Sequence, residues 1–248
     1  MMRPPLAHRE RLLEQGYTVL EGLLRPEEVS ALREAVLALV ADIAPPRMQS
    51  PETTPLDERS FVSASGLGIP RLLRERPDLR PLVLSRRLLE VVGSVLGAGM
   101  RVEIAGASVS DASRPFFRWH SHVDGEDEGV RFSSKQWPRV PDVRRVLTLL
   151  YLDDLNDDTG PLFVLPRRAG DPTEPPYSID LEEWPGQIEL RPRAGTAVAI
   201  DQCTWHAARS MRGPGLRTFI GCYFAAAHAV PMGGADPGLT VELEGPST

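Results

Sequence analysis

The chain has 248 residues, 42% of them hydrophobic and 25% charged, which is enough apolar material for one sizeable core. A net charge of -6 argues against a nucleic-acid or acidic-membrane partner, because phosphate binding needs a concentrated positive field. The two cysteines, Cys203 and Cys222, form no C-x-x-C pair, which excludes a disulfide framework and a cysteine zinc site.

The N-terminal segment is charged and lacks the apolar run of a signal peptide, and no later stretch reaches the roughly 18 apolar residues of a membrane span. We therefore expect a cytoplasmic protein with one domain over residues 1–248 and no membrane partner. Within it we predict a mostly helical flank with an entry strand over 1–100, a β core over 101–228 and a loose tail over 233–248. The sequence leaves the oligomeric state open.

The front of the chain predicts one strand and two helices. The alternating stretch YTVL (17–20) is typical of a short strand, and Gly22 ends it. Residues 25–46 predict a helix with Pro26 in its first turn and one apolar stripe at helical spacing. Residues 46–80, rich in Pro, Ser and charge, predict a long surface connection. A second helix is expected from a cap at Ser85 to a stop at Gly97.

From Arg101 onward the hydrophobic pattern changes to a period of two or to short apolar runs between Gly, Pro and Asp clusters. These runs are RVEIAGASVS, VLTLLYL, LFVL, QIEL, GTAVAI and RTFIGCYFA. Short strands at such intervals predict a mainly β sandwich or barrel.

Three of the five histidines, His120, His122 and His206, lie in the strand-rich half near loop signals. Residues i and i+2 of a strand point to the same face, about 6–7 Å apart, so His120 pairs with His122 and His122 with Asp124. The spacing permits His122, Asp124 and His206 to form the two-histidine, one-carboxylate face that binds iron and leaves three positions open. The alternative is a hydrogen-bonded structural histidine beside a surface acid.

Arg217 follows His206 by eleven residues, after a GPG turn. If the two strands pair across that turn, the guanidinium reaches the floor of the same cavity, where it can grip a carboxylate with two hydrogen bonds. An ordinary surface arginine is the alternative interpretation.

Four segments in order resemble the phytanoyl-CoA dioxygenase-like branch of the iron(II)/2-oxoglutarate-dependent oxygenases. They are LLEQGYTVLEGLLRPEEVSALREAV, WHSHVDG, LYLDDLNDDTGPLFVLP and GTAVAIDQCTWHAARS with the following LRTFIGCYF. Together they span nearly the whole chain.

The resemblance implies a double-stranded β-helix, or jelly roll, with helices on one side and iron at the barrel mouth. It also implies that His122, Asp124 and His206 are the iron ligands, that Arg217 binds the far carboxylate of 2-oxoglutarate, and that dioxygen is consumed. Relatives often place Trp directly before the first ligand, which would nominate His120 and put His122 at the carboxylate position. We prefer His122 with Asp124 because that choice supplies the carboxylate.

The expected reaction is hydroxylation of an unactivated carbon with release of succinate and CO2. In halogenating relatives a small residue replaces the carboxylate and makes room for chloride, so the aspartate predicts hydroxylation. The substrate is expected to be a small molecule, and its identity stays open. Arg131, Trp137 and Arg139 are candidates for contacts with an anionic substrate, although a solvated charged loop is the plainer interpretation of their segment.

Two alternatives belong to other functional classes. The pattern His120-x-His122-x-x-x-Glu126, together with His206, fits a cupin-like metalloenzyme that does not use 2-oxoglutarate. A catalytically inactive relative that only binds a ligand is the second.

Overall fold

The computed structural model describes residues 4–123 and 136–239. Within them, two antiparallel sheets lie face to face, with helices packed on the outer side of the larger one. The strands are β1 (Tyr17–Leu20), β2 (Thr54–Pro55), β3 (Phe61–Ser63), β4 (Gly66–Ile69), β5 (Arg101–Ser110), β6 (Phe117–His120), β7 (Arg145–Tyr151), β8 (Leu162–Val164), β9 (Ile188–Leu190), β10 (Ala197–Asp201), β11 (His206–Ala208) and β12 (Arg217–Ala225).

The helices are α1 (Pro4–Gln15), α2 (Pro26–Ile43), α3 (Leu72–Glu75), α4 (Arg80–Val83) and α5 (Arg86–Leu96), with a 3-10 turn at Pro77–Leu79. The long α2 begins at its proline, and the Glu28 carboxylate in its first turn accepts from the Arg25 backbone N–H at 2.8 Å. It buries Val29, Leu32 and Val36 of the predicted stripe, so the predicted helix is confirmed. The other predicted helix is α5, flanked by Ser85 and Gly97.

The larger sheet has the strand order β1-β10-β7-β12-β5-β4-β3-β2, and the smaller one β6-β11-β8-β9. In β12 the alternating side chains of a half-buried strand face the helices on one side and the smaller sheet on the other. Thus Ile220, Cys222 and Phe224 belong to the main core, whereas Phe219 and Tyr223 pack toward the space between the sheets. This two-sheet arrangement confirms the predicted jelly roll.

The prediction of a surface connection over 46–80 is wrong. That segment supplies β2, β3 and β4 at one end of the larger sheet, and Val62, Leu67 and Ile69 are fully buried. The strands are short, and Gly66-Leu67-Gly68-Ile69 lacks apolar–polar alternation. The ring of Phe61 lies on Gly68, where a Cβ would come within 2.4 Å of it, so glycine is needed for packing at this position.

Part of the predicted loose tail packs on the body, since Asp236 and Leu239 are buried. The remainder, residues 240–248, lies outside the described residues, and there the loose tail stays a prediction. No helix in the described part of the chain combines the length and apolar character needed to cross a membrane.

Candidate functional site

A cavity of about 220 Å³ lies between the two sheets. One end is lined by the three histidines His120, His122 and His206, and another part by the arginines Arg114 and Arg217. Apolar side chains form much of the wall between them: Phe117, Leu147, Leu149, Leu162, Phe219 and Tyr223. The cavity therefore combines a metal-ligating cluster, buried cations and an apolar wall, as organic-ligand sites do.

The histidines come together because two neighbouring strands of the smaller sheet end at the same place. His120 is the last residue of β6 and His206 the first of β11, and they are direct cross-strand partners. His122 follows β6 by two residues, and its backbone N–H donates to the Gln202 carbonyl at 2.7 Å. The ligand nitrogens of the three side chains lie within 4.8 Å of one another.

Backbone hydrogen bonds set the orientation of two of the rings. Nδ1 of His120 lies 2.9 Å from the Arg118 carbonyl, and Nδ1 of His206 lies 3.0 Å from the Thr204 carbonyl. Because a carbonyl only accepts, each Nδ1 carries the proton and donates it. The Nε2 atoms therefore keep free lone pairs, which is the tautomer that metal-binding histidines use.

The site favours neutral imidazoles. Burial lowers the pKa of His206 to about 4, and burial together with the neighbouring His206 and His122 holds the pKa of His120 well below its usual range. At neutral pH these rings are uncharged, as a metal ligand must be.

The donor set fits a transition metal. An ion centred among three nitrogens no more than 4.8 Å apart lies at most about 2.8 Å from each, and small ring rotations bring it to the usual bond length of about 2.1 Å. Imidazole donors suit iron, nickel, copper and zinc, so this geometry supports a metal site without choosing the metal.

The structure brings His122 and His206 together as the sequence predicts, and it adds His120. Asp124, the predicted carboxylate ligand, and Glu126 of the cupin-like alternative both lie outside the described residues. The sequence already held the signal for His120, since the i, i+2 rule pairs it with His122 and it follows a tryptophan.

Arg217 opens β12 and lines the same cavity, with its side chain 4% exposed. Its Nη1 donates to the Gly160 carbonyl at 2.9 Å and its Nη2 to the Tyr151 hydroxyl at 3.3 Å. The expected pairing of its strand with that of His206 does not occur. β11 and β12 lie in opposing sheets, so the two side chains reach the cavity from opposite walls.

Arg114 is a cavity residue that sequence reasoning missed. It lies between β5 and β6, is only 2% exposed, and lines the cavity with Arg217. Nothing in the sequence separates it from the many surface arginines, because its burial depends on how the two sheets close around the 111–116 turn.

Of the three predicted substrate-contact residues, the structure describes Trp137 and Arg139. Trp137 packs against Trp205 with ring centroids 5.7 Å apart, and Arg139 is exposed. Neither is among the described residues that line the cavity. Arg131 lies outside the described residues, so a substrate role for this segment stays a prediction.

Solved structures with the same fold include two non-heme, alpha-ketoglutarate-dependent enzymes and a protein with 2-oxoglutarate bound. The carbocyclase SnoK from nogalamycin biosynthesis, described as non-heme and alpha-ketoglutarate-dependent, has 19% identity and a TM-score of 0.66, with 96% of this chain and 93% of that chain covered. The epimerase SnoN from the same biosynthesis, with the same cofactor description, has 15% identity and a TM-score of 0.67, with coverages of 94% and 87%. HygX from Streptomyces hygroscopicus, with nickel, 2-oxoglutarate and hygromycin B bound, has 16% identity and a TM-score of 0.62, with coverages of 92% and 88%.

At such identities these likenesses establish the fold alone. A search of curated protein sequences gives no match. The sequence profile of phytanoyl-CoA dioxygenase (PhyH) matches residues 12–219, a span that includes the smaller sheet, all but the end of β12 in the larger sheet, the three histidines and Arg217. The chain therefore belongs to the phytanoyl-CoA dioxygenase (PhyH) family.

Proposed function

We propose that this protein is an iron(II)- and 2-oxoglutarate-dependent dioxygenase that hydroxylates an unactivated carbon of a small molecule and releases succinate and CO2. The observation that carries the proposal is the cavity itself, which is lined by three histidines able to bind a metal ion and by a buried arginine. Family membership supports the choice of iron and of the cosubstrate.

His122 and His206 hold the ion in this proposal, as the sequence predicts. The geometry favours His120 as a further ligand, because its lone pair is free and its ring centroid lies 4.1 Å from that of His206. Asp124 is the carboxylate that the sequence predicts for the same centre. Bound iron would supply dioxygen activation coupled to oxidative decarboxylation of the 2-oxo acid.

The protein's own groups orient the cosubstrate. Arg217 offers a rigid guanidinium to the far carboxylate, and the Gly160 carbonyl and Tyr151 hydroxyl hold it in place. Leu147, Leu149 and Phe219 make the wall between the arginine and the histidines apolar. Apolar surroundings strengthen the charge interactions that position the diacid.

Hydroxylation rather than halogenation follows from the ligand count. Either His120 or Asp124 fills the third protein position, and no small residue there leaves room for a halide ion. A small organic substrate and dioxygen complete the proposal. We place the enzyme in the cytoplasm, because a chain with only two cysteines suits a reducing compartment.

The first experiment is anaerobic addition of iron(II) and 2-oxoglutarate, followed by visible absorption spectroscopy. A metal-to-ligand charge-transfer band is expected in the wild-type protein and should be absent in His206→Ala. Succinate release across a panel of small acids and carrier-bound substrates then identifies the substrate class. Wild-type protein that binds iron but gives no band with 2-oxoglutarate contradicts the proposal.

Separate substitutions assign the third ligand. If His120 is a ligand, His120→Ala weakens iron binding by more than the roughly tenfold to hundredfold that loss of an outer-shell partner costs, whereas Asp124→Asn leaves it within a few-fold. The reverse result assigns the place to Asp124. Iron affinity is measured directly by anaerobic titration, so the assignment does not depend on turnover.

The second candidate function is a cupin-like metalloenzyme that does not use 2-oxoglutarate. The cluster of three imidazoles favours it, because such enzymes bind their ion through several histidines. It gives no task to Arg217, which is why we rank it second. Iron binding without a charge-transfer band, combined with turnover that needs no 2-oxo acid, is the result expected for this alternative.

A further inference from the structure

The surroundings of Arg114 combine burial with a lack of acidic partners. Its Nη2 donates to the carbonyls of Thr159 and Arg209, and its Nη1 donates to the Pro115 carbonyl at 3.4 Å. No carboxylate lies within ion-pair distance of Arg114 in the ranges 4–123 and 136–239. Within these ranges its charge is thus removed from water and met only by neutral dipoles.

The charge of Arg217 raises the free-energy cost of burying the charge of Arg114. The same turn holds both guanidiniums, since Thr159 accepts from Arg114 and Gly160 accepts from Arg217. Gly160 also leaves space for Arg114, because a Cβ on this residue would come within 2.6 Å of Nη2. Burial and the nearby Arg217 charge lower the pKa of Arg114 to about 9. Two like charges in one water-poor cavity favour occupation by an anion.

Three donors at this end have capacity to spare. The Nε atoms of Arg114 and Arg217 are buried and have no hydrogen-bond partner among the described residues. The Tyr151 hydroxyl, fully buried, accepts from Arg217 and can donate its own proton. Burial raises the pKa of Tyr151, so that proton stays in place at neutral pH.

We propose that Arg114 acts with Arg217 and Tyr151 as a two-arginine carboxylate-binding end of the cavity, and that it holds the far carboxylate of the 2-oxo diacid. The inference rests on the proposed function and deepens it by adding a positioning residue. It predicts strong selection for dicarboxylates, because a 2-oxo monocarboxylate would leave both buried guanidiniums uncompensated.

Arg114→Gln and Arg217→Gln test the proposal, with Arg212→Gln as the matched control. Arg212 is exposed, lies beside the same turn and does not line the cavity, so its loss changes the net charge equally. Each variant is titrated with 2-oxoglutarate in the presence of anaerobic iron(II). We expect the Kd to rise about tenfold or more in both cavity variants and to stay within twofold in the control.

Thermal unfolding of the metal-free proteins separates a ligand-binding role from a structural one. Because Arg114→Gln removes one of two like charges, its Tm without ligand should stay the same or rise. The increase in Tm that glutarate gives to the wild type should disappear in the variant. A lower Tm together with an unchanged Kd for 2-oxoglutarate overturns the proposal and makes Arg114 a structural tie.

The design distinguishes failure of the inference from failure of the proposed function. Glutarate has both carboxylates but no 2-oxo group, so it reports on the arginine end without metal chelation. Wild-type protein that responds to glutarate through Arg114 but gives no charge-transfer band refutes the proposed function alone. If Arg114→Gln does not fold, Arg114→Met replaces it as a second variant without the charge, and an unchanged Kd for 2-oxoglutarate in that variant counts against the proposal.

Discussion

The protein buries arginines in two different ways. On the larger sheet, Arg145 is 2% exposed and its Nε lies 2.9 Å from the carboxylate of the fully buried Glu103. Arg167 likewise lies 2.8 Å from the buried Asp201. The cavity arginines Arg114 and Arg217 are buried to a similar degree, yet their hydrogen-bond partners among the described residues are carbonyls and one phenol.

The difference separates arginines whose charge is balanced within the fold from arginines whose charge is available to bind an anionic ligand. A buried cation beside a carboxylate is neutralised within the fold, and removing one partner exposes the other to the full cost of burial. A buried cation with only neutral partners is stabilised further when an anion arrives from outside. The predictions below test this division.

The largest expected effect comes from breaking a compensated pair. In Glu103→Gln, Arg145 loses its counter-charge and Arg101 loses a second contact at 3.3 Å. We expect the free energy of unfolding to fall by about 3–5 kcal/mol, measured by urea denaturation. Glu90→Gln is the control, because the Arg86–Glu90 pair is on the surface and is worth less than about 1 kcal/mol.

The 2-oxoglutarate Kd of folded Glu103→Gln should match that of the wild type, since this pair does not line the cavity. A loss below about 1 kcal/mol would show that buried carboxylates are not what stabilises these arginines.

The second prediction concerns the pH dependence of the Arg167–Asp201 pair. Burial raises the pKa of Asp201 from 3.8 to about 6, although the Arg167 charge acts in the opposite direction. An acid whose pKa is higher when folded contributes stability that is complete below about pH 3.8 and is lost as the pH rises through about 6.

A pKa rise from 3.8 to about 6 corresponds to about 3 kcal/mol. We therefore expect the unfolding free energy of the wild type minus that of Asp201→Asn to fall by about this amount from pH 4 to pH 7. A difference that grows with pH would mean that Arg167 outweighs the cost of burying Asp201.

Sequence patterns predict most of the fold, because most of its elements carry local signals. The helices α2 and α5 carry apolar stripes with proline, serine or glycine at their ends, and such local signals act over a few residues. The strands β5, β7 and β12 are long enough to show their pattern. By contrast, β2, β3 and β4 have two to four residues each, and the glycines of β4 are explained only by the partner packed on them.

The site was predictable in part. The i, i+2 rule selects both His120 with His122 and His122 with Asp124, and the sequence cannot choose because β6 ends at His120. The role of Arg217 was available from its spacing to His206. The role of Arg114 could not be predicted from the sequence, since its hydrogen-bond partners are the Thr159 and Arg209 carbonyls, which are 45 and 95 residues away along the chain.

The third prediction adds a carboxylate of the protein itself beside the cavity arginines. Ser110 lines the cavity and is the cross-strand partner of Arg217, so Ser110→Asp places a carboxylate beside the guanidiniums. The metal-free protein should keep or gain Tm, whereas the 2-oxoglutarate Kd should rise at least about tenfold because the internal acid competes with the diacid. Ser110→Asn is the neutral control of equal size. Equal loss in both variants would indicate steric blocking rather than charge.

The smallest expected effect concerns the phenol at the arginine end. Tyr151→Phe removes the hydroxyl that accepts from Arg217 at 3.3 Å, and with it the donor proposed for the carboxylate. One neutral hydrogen bond is worth about 1 kcal/mol, so the 2-oxoglutarate Kd should rise about fivefold. The guanidiniums keep their charge and carbonyl partners, and therefore the preference for dicarboxylates should persist. If Tyr151→Phe weakened binding as much as Arg217→Gln, the phenol would be the main anchor, and buried charge would no longer explain how this cavity selects its ligand.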